Sequence, residues 1–282
     1  MTTPDTRDVE TRLAALRQWF RDRGSALIAF SGGVDSTFLL KVAVEELGER
    51  VLALTLLSPM YPSHERDDAR RLAEAIGARY RCLEVDEVDQ PAFRENPPER
   101  CYLCKKALFG RLCDLAREEG LAVVCDGTNA DDLHVYRPGR QAAQELGVAS
   151  PLADLGFSKA AIRVASRLLG LPTWSKPTYA CLATRFPYGE PITRDGLAAV
   201  GRAEALLRQW LPEPMRLRCH GTVARLEVAP AAFNVVMAHA AEIVAAVKDS
   251  GFAYVTLDLQ GFRSGSLDEV LGHRADSARP GE

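Results

Sequence analysis

The stretch Ala29-Phe30-Ser31-Gly32-Gly33-Val34-Asp35-Ser36-Thr37 constrains the fold of this chain more than any other. It follows a short apolar run, Ala26 to Phe30, that predicts a buried strand, and it opens an apolar-periodic segment, Phe38 to Leu47, that predicts a helix. A strand, a glycine turn and a helix make an anion cradle. Gly32 and Gly33 can turn successive N–H groups inward, Ser31 and Ser36 add hydroxyls, and the helix start contributes its partial positive charge. The guest that suits it is a phosphate. The plainer reading is a capped helix with Asp35 or Ser36 as N-cap.

A Walker-type loop would need a Lys-Ser/Thr pair after its last glycine, and no lysine occurs before Lys41. Transfer of a γ-phosphate is therefore disfavoured. Ser31-Gly32-Gly33-Val34-Asp35-Ser36 instead resembles the PP-loop of the ATP pyrophosphatases. That resemblance implies cleavage of ATP between its α- and β-phosphates, with an adenylylated intermediate.

Four strand candidates, Ala26 to Phe30, Val51 to Leu57, Arg79 to Val85 and Leu121 to Cys125, alternate with helical patterns at 8–23, Phe38 to Leu47, Ser63 to Ile76, Cys104 to Arg117 and Lys159 to Leu169. Such alternation predicts an α/β fold, a parallel sheet with helices on both faces, whose ligands lie beyond the carboxyl ends of the strands. The turn-rich stretch Asp126-Gly127-Thr128-Asn129-Ala130-Asp131-Asp132 then falls on the same rim as the glycine loop. It is a candidate second wall, with Gly127 allowing close backbone approach, or else an ordinary acidic surface loop.

Pro172, Pro177, Pro187 and Pro191 exclude a long regular element from 171–194 and predict a connecting segment after a first domain of residues 1–170. Beyond it a helix (Arg194 to Trp210), strands at 214–219 and 222–228, a helix (Ala231 to Lys248) and a strand (Ala253 to Leu257) predict a small α+β domain over 195–272. The polar residues 273–282 read as a disordered tail.

The net charge of −3 gives no general attraction to nucleic acid. There is no long apolar run and no export signal at the N-terminus, so the expectation is a cytoplasmic protein with no membrane partner. Seven cysteines in such a chain argue against a disulfide framework. Cys101-Tyr102-Leu103-Cys104 stands at a helix start, a favourable place for thiolates, and no second pair completes a zinc site. Cys181 is the best third ligand, because it lies in a proline-rich segment with the cations Lys176 and Arg185 nearby. Cys82, Cys113, Cys125 and Cys219 read as small core residues.

Arg216, Arg218 and His220 alternate with Leu217 and Cys219, so the cations share one strand face. A two-residue turn at His220-Gly221 would bring Val223, Arg225 and Glu227 to that face. Arg216 and Arg218 are candidates for a substrate phosphate. Glu227, with Glu204, either binds a divalent metal or pairs with an arginine. Lys106, Arg163, Lys176 and Arg185 are further phosphate candidates, and Trp174 and Trp210 read as packing residues.

The glycine loop, the block 97–106, the 126–132 loop, the Cys181 segment, 216–227 and 257–266 together resemble the LarE family over most of the chain. The resemblance implies an ATP-dependent sulfur transferase, with ATP and Mg2+. Its substrate would be pyridinium-3,5-biscarboxylic acid mononucleotide and its product would serve the nickel-pincer cofactor of lactate racemase. Members with three cysteines are thought to hold a [4Fe-4S] cluster, here on Cys101, Cys104 and Cys181, that relays sulfide from a donor not yet defined. Members with one cysteine give up its sulfur, and Cys181 would then be the donor. The resemblance also implies a homo-oligomer and suggests a hexamer. The competing readings are a tRNA-thiolating enzyme, which wants a basic RNA surface not evident here, an amide-forming synthetase, and a nucleotide-binding sensor.

Overall fold

The computed structural model describes residues 5–61, 63–134, 138–177, 180–263 and 265–269. The expected tail at 273–282, and Thr178 and Tyr179 of the Cys181 segment, lie outside these. Two compact units emerge: one from Met1–Ser58, Pro62–Val85 and Cys101–Tyr179, the other from Pro59–Tyr61, Asp86–Arg100 and Ala180–Glu282. Among the described residues no single helix is long and apolar enough to cross a membrane.

The first unit contains a four-stranded parallel sheet of β1 (Ala26–Ala29), β2 (Val51–Leu57), β3 (Arg79–Glu84) and β4 (Val123–Cys125), in the order β3-β2-β1-β4. Alternate side chains of β1 serve two cores. Ala26 and Ile28 join Phe20 of α1 (Thr6–Arg23), Phe38 and Leu39 of α2 (Val34–Leu47) and Ile162 of α8 (Lys159–Leu168). Leu27 joins Phe109 and Leu112 of α5 (Arg100–Glu118) on the opposite face. This two-sided burial is why β1 reads as a continuous apolar run. The remaining helices of the unit are α3 (Ser63–Ile76), α6 (Gly139–Glu145) and α7 (Pro151–Asp154).

Because β2 and β4 lie on opposite sides of β1, the chain switches direction across the sheet between β1 and β4. The loops leaving those two strands border the crevice where such sheets bind ligands. The helix expected from Phe38 starts earlier, at Val34. Its N-cap is Gly33, which makes no side-chain cap bond, so neither Asp35 nor Ser36 is the cap.

The second unit holds α4 (Pro91–Arg94), α9 (Arg194–Leu207), α10 (Phe233–Ala238) and α11 (Ala240–Asp249) with the sheet β5 (Met215–His220), β6 (Val223–Val228) and β7 (Tyr254–Leu257). Strands β5 and β6 are antiparallel, and β6 and β7 are parallel. The single helix expected at Ala231 to Lys248 is broken, with its two arms bent by 85°. The β5–β6 turn is Gly221-Thr222, one residue later than expected, with Gly221 at φ 58°. The register nevertheless pairs Arg216 with Glu227, Arg218 with Arg225 and His220 with Val223, so all six share one face.

Candidate active site

Phe30 closes β1 onto the loop: its N–H donates to Leu54 O (2.9 Å) and its carbonyl accepts from Thr55 Oγ1 (2.7 Å). Gly32 then takes φ 68°, a region that side chains disfavour, and a Cβ there would stand 3.2 Å from Ala69 Cα. The two loop serines meet at 3.0 Å, Ser36 Oγ accepts from Ser31 N–H and Ser31 Oγ from Gly33 N–H (both 3.3 Å). These bonds set the turn. They leave the N–H groups of Val34, Asp35 and Ser36, in the first turn of α2, without intrahelical acceptors, a ready anion site.

The 126–132 loop lies directly against this helix start. A Cβ on Gly127 would sit 3.1 Å from Ser36 N, a tight contact that glycine avoids. Asp126 shapes the loop by accepting from Thr128 N–H (3.1 Å), Thr128 Oγ1 (2.6 Å) and Ser150 Oγ (2.7 Å). Asn129 Nδ2 reaches Asp35 Oδ2 at 3.4 Å, and Lys159 Nζ reaches the same oxygen at 2.5 Å. Burial raises the Asp35 pKa against the opposing pull of Lys159. Its Oδ1 is buried with no hydrogen-bond partner among the described residues.

A second cation stands at the loop itself. Lys176 Nζ donates to Gly32 O at 3.1 Å. The backbone that carries it is clamped by Arg163, whose guanidinium donates to Trp174 O (2.6 Å) and Lys176 O (2.9 Å). Trp174 is not a core residue: it is exposed, with the Arg167 guanidinium 5.2 Å from its ring centroid. Lys106 instead makes a surface network with Tyr102 Oη (2.6 Å) and Glu145 (2.9 Å).

In the second unit the charged residues form a buried relay. Arg185 binds Glu204 through two bonds of 2.8 and 2.9 Å, and Glu204 Oε1 also accepts from Leu217 N–H (3.0 Å). Arg218 donates to Glu227 (2.9 Å), to Ser266 Oγ (2.9 Å) and to Thr184 O. Arg225 takes the other oxygen of Glu227 (3.1 Å). Of the two roles open to Glu204 and Glu227, arginine pairing is what the structure contains. Arg216 has no carboxylate partner among the described residues. Its guanidinium lies 4.9 Å from the Phe262 ring, and burial together with Arg185 and Arg218 pushes its pKa down to about 10.

A model of the NAD synthase family matches residues 9–113. An ammonia-dependent NAD(+) synthetase of Chlorobaculum tepidum is 29% identical over 53% of this chain and 54% of its own length. An uncharacterized protein of Synechocystis sp. is 45% identical over 93% of this chain and 99% of its own. The pyridinium-3,5-bisthiocarboxylic acid mononucleotide synthase of Lactiplantibacillus plantarum is 36% identical over 93% of this chain and 95% of its own. The chain belongs to the LarE family. As a LarE protein it is an ATP-dependent enzyme on a PP-loop α/β fold, with a separate small mixed sheet.

The cysteines of this LarE protein occupy distinct settings, and none is in a disulfide. Cys101 and Cys104 fall three residues apart in the first two turns of α5 and so share a face, both partly exposed. Cys181 is the N-cap of the short turn Leu182–Arg185, and its carbonyl accepts from Thr184 N–H (3.1 Å) and Thr184 Oγ1 (2.8 Å). Among the described residues no three His, Cys, Asp or Glu side chains converge as a metal site. Cys125 and Cys219 are buried, which raises both thiol pKa values, that of Cys219 to about 11. Cys82 and Cys113 are only partly buried.

Lys159 escaped the sequence reading. One signal could have found it. A lysine as first residue of a helix opposes the helix dipole, and α8 carries no acidic residue in its first turn to offset it.

Proposed function

We propose that this chain adenylylates the carboxylates of pyridinium-3,5-biscarboxylic acid mononucleotide and converts them to thiocarboxylates, supplying the nickel-pincer nucleotide of lactate racemase. The observation that carries the proposal is full-length similarity to a synthase of the bisthiocarboxylic product, combined with a glycine loop that lacks a Walker lysine. A substrate carboxylate attacks the α-phosphorus of ATP and pyrophosphate leaves. Sulfide then attacks the acyl carbon and AMP departs. Adenylation replaces a poor oxide leaving group by a phosphate ester, which opens the carbonyl to the sulfur nucleophile.

The first unit would bind ATP, with Ser31 to Ser36 and Gly127 around the phosphates and Lys176 beside them. Mg2+ fits beside Asp35, where a buried carboxylate oxygen has no partner among the described residues. The second unit would bind the substrate, its phosphate on Arg216. Arg216 is a partly desolvated guanidinium beside two arginines already matched to glutamates, so an incoming phosphate meets a cation without a carboxylate partner among the described residues.

Cys101, Cys104 and Cys181 would hold the [4Fe-4S] cluster. The donor chemistry fits, as all three are thiols outside disulfides and two share one helix face. When bound, the cluster supplies an iron open to sulfide. A second reading makes Cys181 itself the sulfur donor. It is favoured by the position of Cys181 beside the Arg185 cation, in the same unit as Arg216.

Pyrophosphate release tests the activity: release that depends on the pyridinium mononucleotide supports the proposal, and dependence on tRNA would replace it with RNA thiolation. Iron analysis after anaerobic reconstitution, with mass spectrometry of residue 181 after turnover, decides between the sulfur sources. Conversion of Cys181 to dehydroalanine in a single turnover, with iron supplied, would sink the cluster reading.

A further inference from the structure

The pair Lys159–Asp35 is placed at local cost. Lys159 opens α8 at the partial positive end of the helix. Its backbone N–H is taken by Asp131 Oδ2 (2.8 Å) and its ammonium by Asp35 Oδ2 (2.5 Å). The 126–132 loop thus ties both the backbone of Lys159 and, through Asn129, the carboxylate that Lys159 holds. Asp132 adds further negative potential at the carboxylate. Asp35 presents two different oxygens: Oδ2 is saturated by Lys159 and Asn129, and Oδ1 is buried and without a partner among the described residues.

An anionic carboxylate in the first turn of α2 already has the favourable end of a helix behind it. That end offsets only part of the cost of burying the carboxylate, and Lys159 offsets more of it. A cation that leans on one oxygen of a carboxylate repels any divalent ion approaching the other, most strongly in a part-buried setting. The same ammonium has three donors and no acceptor, which suits phosphate oxygens once it leaves the carboxylate.

We propose that Lys159 is a resident counter-ion of Asp35, which opposes divalent-metal binding to the nucleotide-free loop and transfers to the triphosphate when metal and nucleotide enter together. The proposal rests on the ATP-dependent reading of the loop. It makes Lys159 a gate on binding order, so metal arrives with the nucleotide and not before it.

Manganese binding to nucleotide-free enzyme, followed by electron paramagnetic resonance, tests it without turnover. Lys159→Met is expected to bind Mn2+ at least tenfold more tightly than wild type, whereas Lys159→Arg, which keeps the charge, is expected to bind like wild type. ATP affinity measured in the presence of a chelator is expected to fall about tenfold in Lys159→Met. Mn2+ affinity in Lys159→Met equal to or weaker than wild type would overturn the proposal, as would a Lys159→Arg variant that tightens equally. Should Lys159→Met fail to fold, Lys159→Gln keeps a donor to Asp35 without the charge and is held to the same outcome. Pyrophosphate release by the wild type reports separately on the ATP-dependent reading, so the two can fail independently.

Discussion

Glu227 stands directly across the β5–β6 ladder from Arg216, yet its carboxylate is bonded to Arg218 on the diagonal and to Arg225 on its own strand. The register partner is thereby withheld from Arg216. One face of the β5–β6 pair carries three arginines around one fully buried glutamate, and Arg216 is the one without a carboxylate partner among the described residues.

Arg216 should accordingly trade stability for binding. Its pKa lies near 10, below the ordinary arginine value, because burial and two neighbouring cations disfavour the charged form. Below about pH 10 the fold bears the cost of that charge, and the cost lapses as pH rises through this value toward the unfolded one. Arg216→Met is expected to be at least as stable as wild type at pH 7, by no more than about 1 kcal/mol because the group is part-exposed and screened. Its affinity for the phosphate-bearing substrate is expected to fall tenfold or more, and wild-type affinity to decline above pH 10. Calorimetric titration with and without substrate reads both. Unchanged substrate affinity would remove Arg216 from the site.

Arg218 is expected to behave in the opposite way. Arg218 and Glu227 are both buried, so Glu227→Gln leaves the wholly desolvated Arg218 without a counter-charge and leaves Arg225 with Asp258 alone, 3.5 Å away. Breaking such a pair from one side costs about 3–5 kcal/mol. The denaturation midpoint should fall accordingly, while the double replacement Arg218→Met with Glu227→Leu should recover most of the loss. If the double variant is no more stable than Glu227→Gln, the pair is not the source of the cost.

The strand–loop–helix unit was legible because its signals are local: an apolar run, two adjacent glycines and a following apolar period. The charged relay was only half legible. Alternation fixes which residues share a face, but which glutamate meets which arginine depends on the register and on the turn at Leu182–Arg185 that delivers Arg185 to Glu204. The break between α10 and α11 was not legible either, since no Pro or Gly marks it and the apolar period runs through His239. Lys159 reaches the loop from 124 residues away in sequence, a distance over which periodicity carries no information, and Lys176, 144 residues away, was legible only as one of several candidate cations.

Gly127 should matter for a steric reason. An alanine Cβ there would press on Ser36 N at 3.1 Å, a backbone atom of the helix start that would have to give by a few tenths of an ångström. Gly127→Ala is expected to weaken ATP binding about tenfold and to cost about 1–3 kcal/mol of stability. Gly110→Ala is the matched control: the same change within α5 meets nothing within 4 Å and should gain up to about 1 kcal/mol from helix propensity. Equal ATP affinity in both variants would argue that the 126–132 loop is not a wall of the nucleotide site.

Lys176 and Arg163 should act as one element. Lys176 reaches the loop from a segment whose carbonyls at 174 and 176 are held by Arg163, so Arg163 is expected to position that cation without contacting the phosphates. Lys176→Ala is expected to raise the Kd for ATP about tenfold, equivalent to about 1.4 kcal/mol. Arg163→Ala should produce a smaller loss in the same direction. The double variant should bind no worse than Lys176→Ala alone, because a clamp has no effect on a cation that is absent. Additive losses in this cycle would mean that Arg163 contacts the phosphates independently, and unchanged affinity in Lys176→Ala would leave the glycine loop to bind ATP through its backbone N–H groups and Lys159.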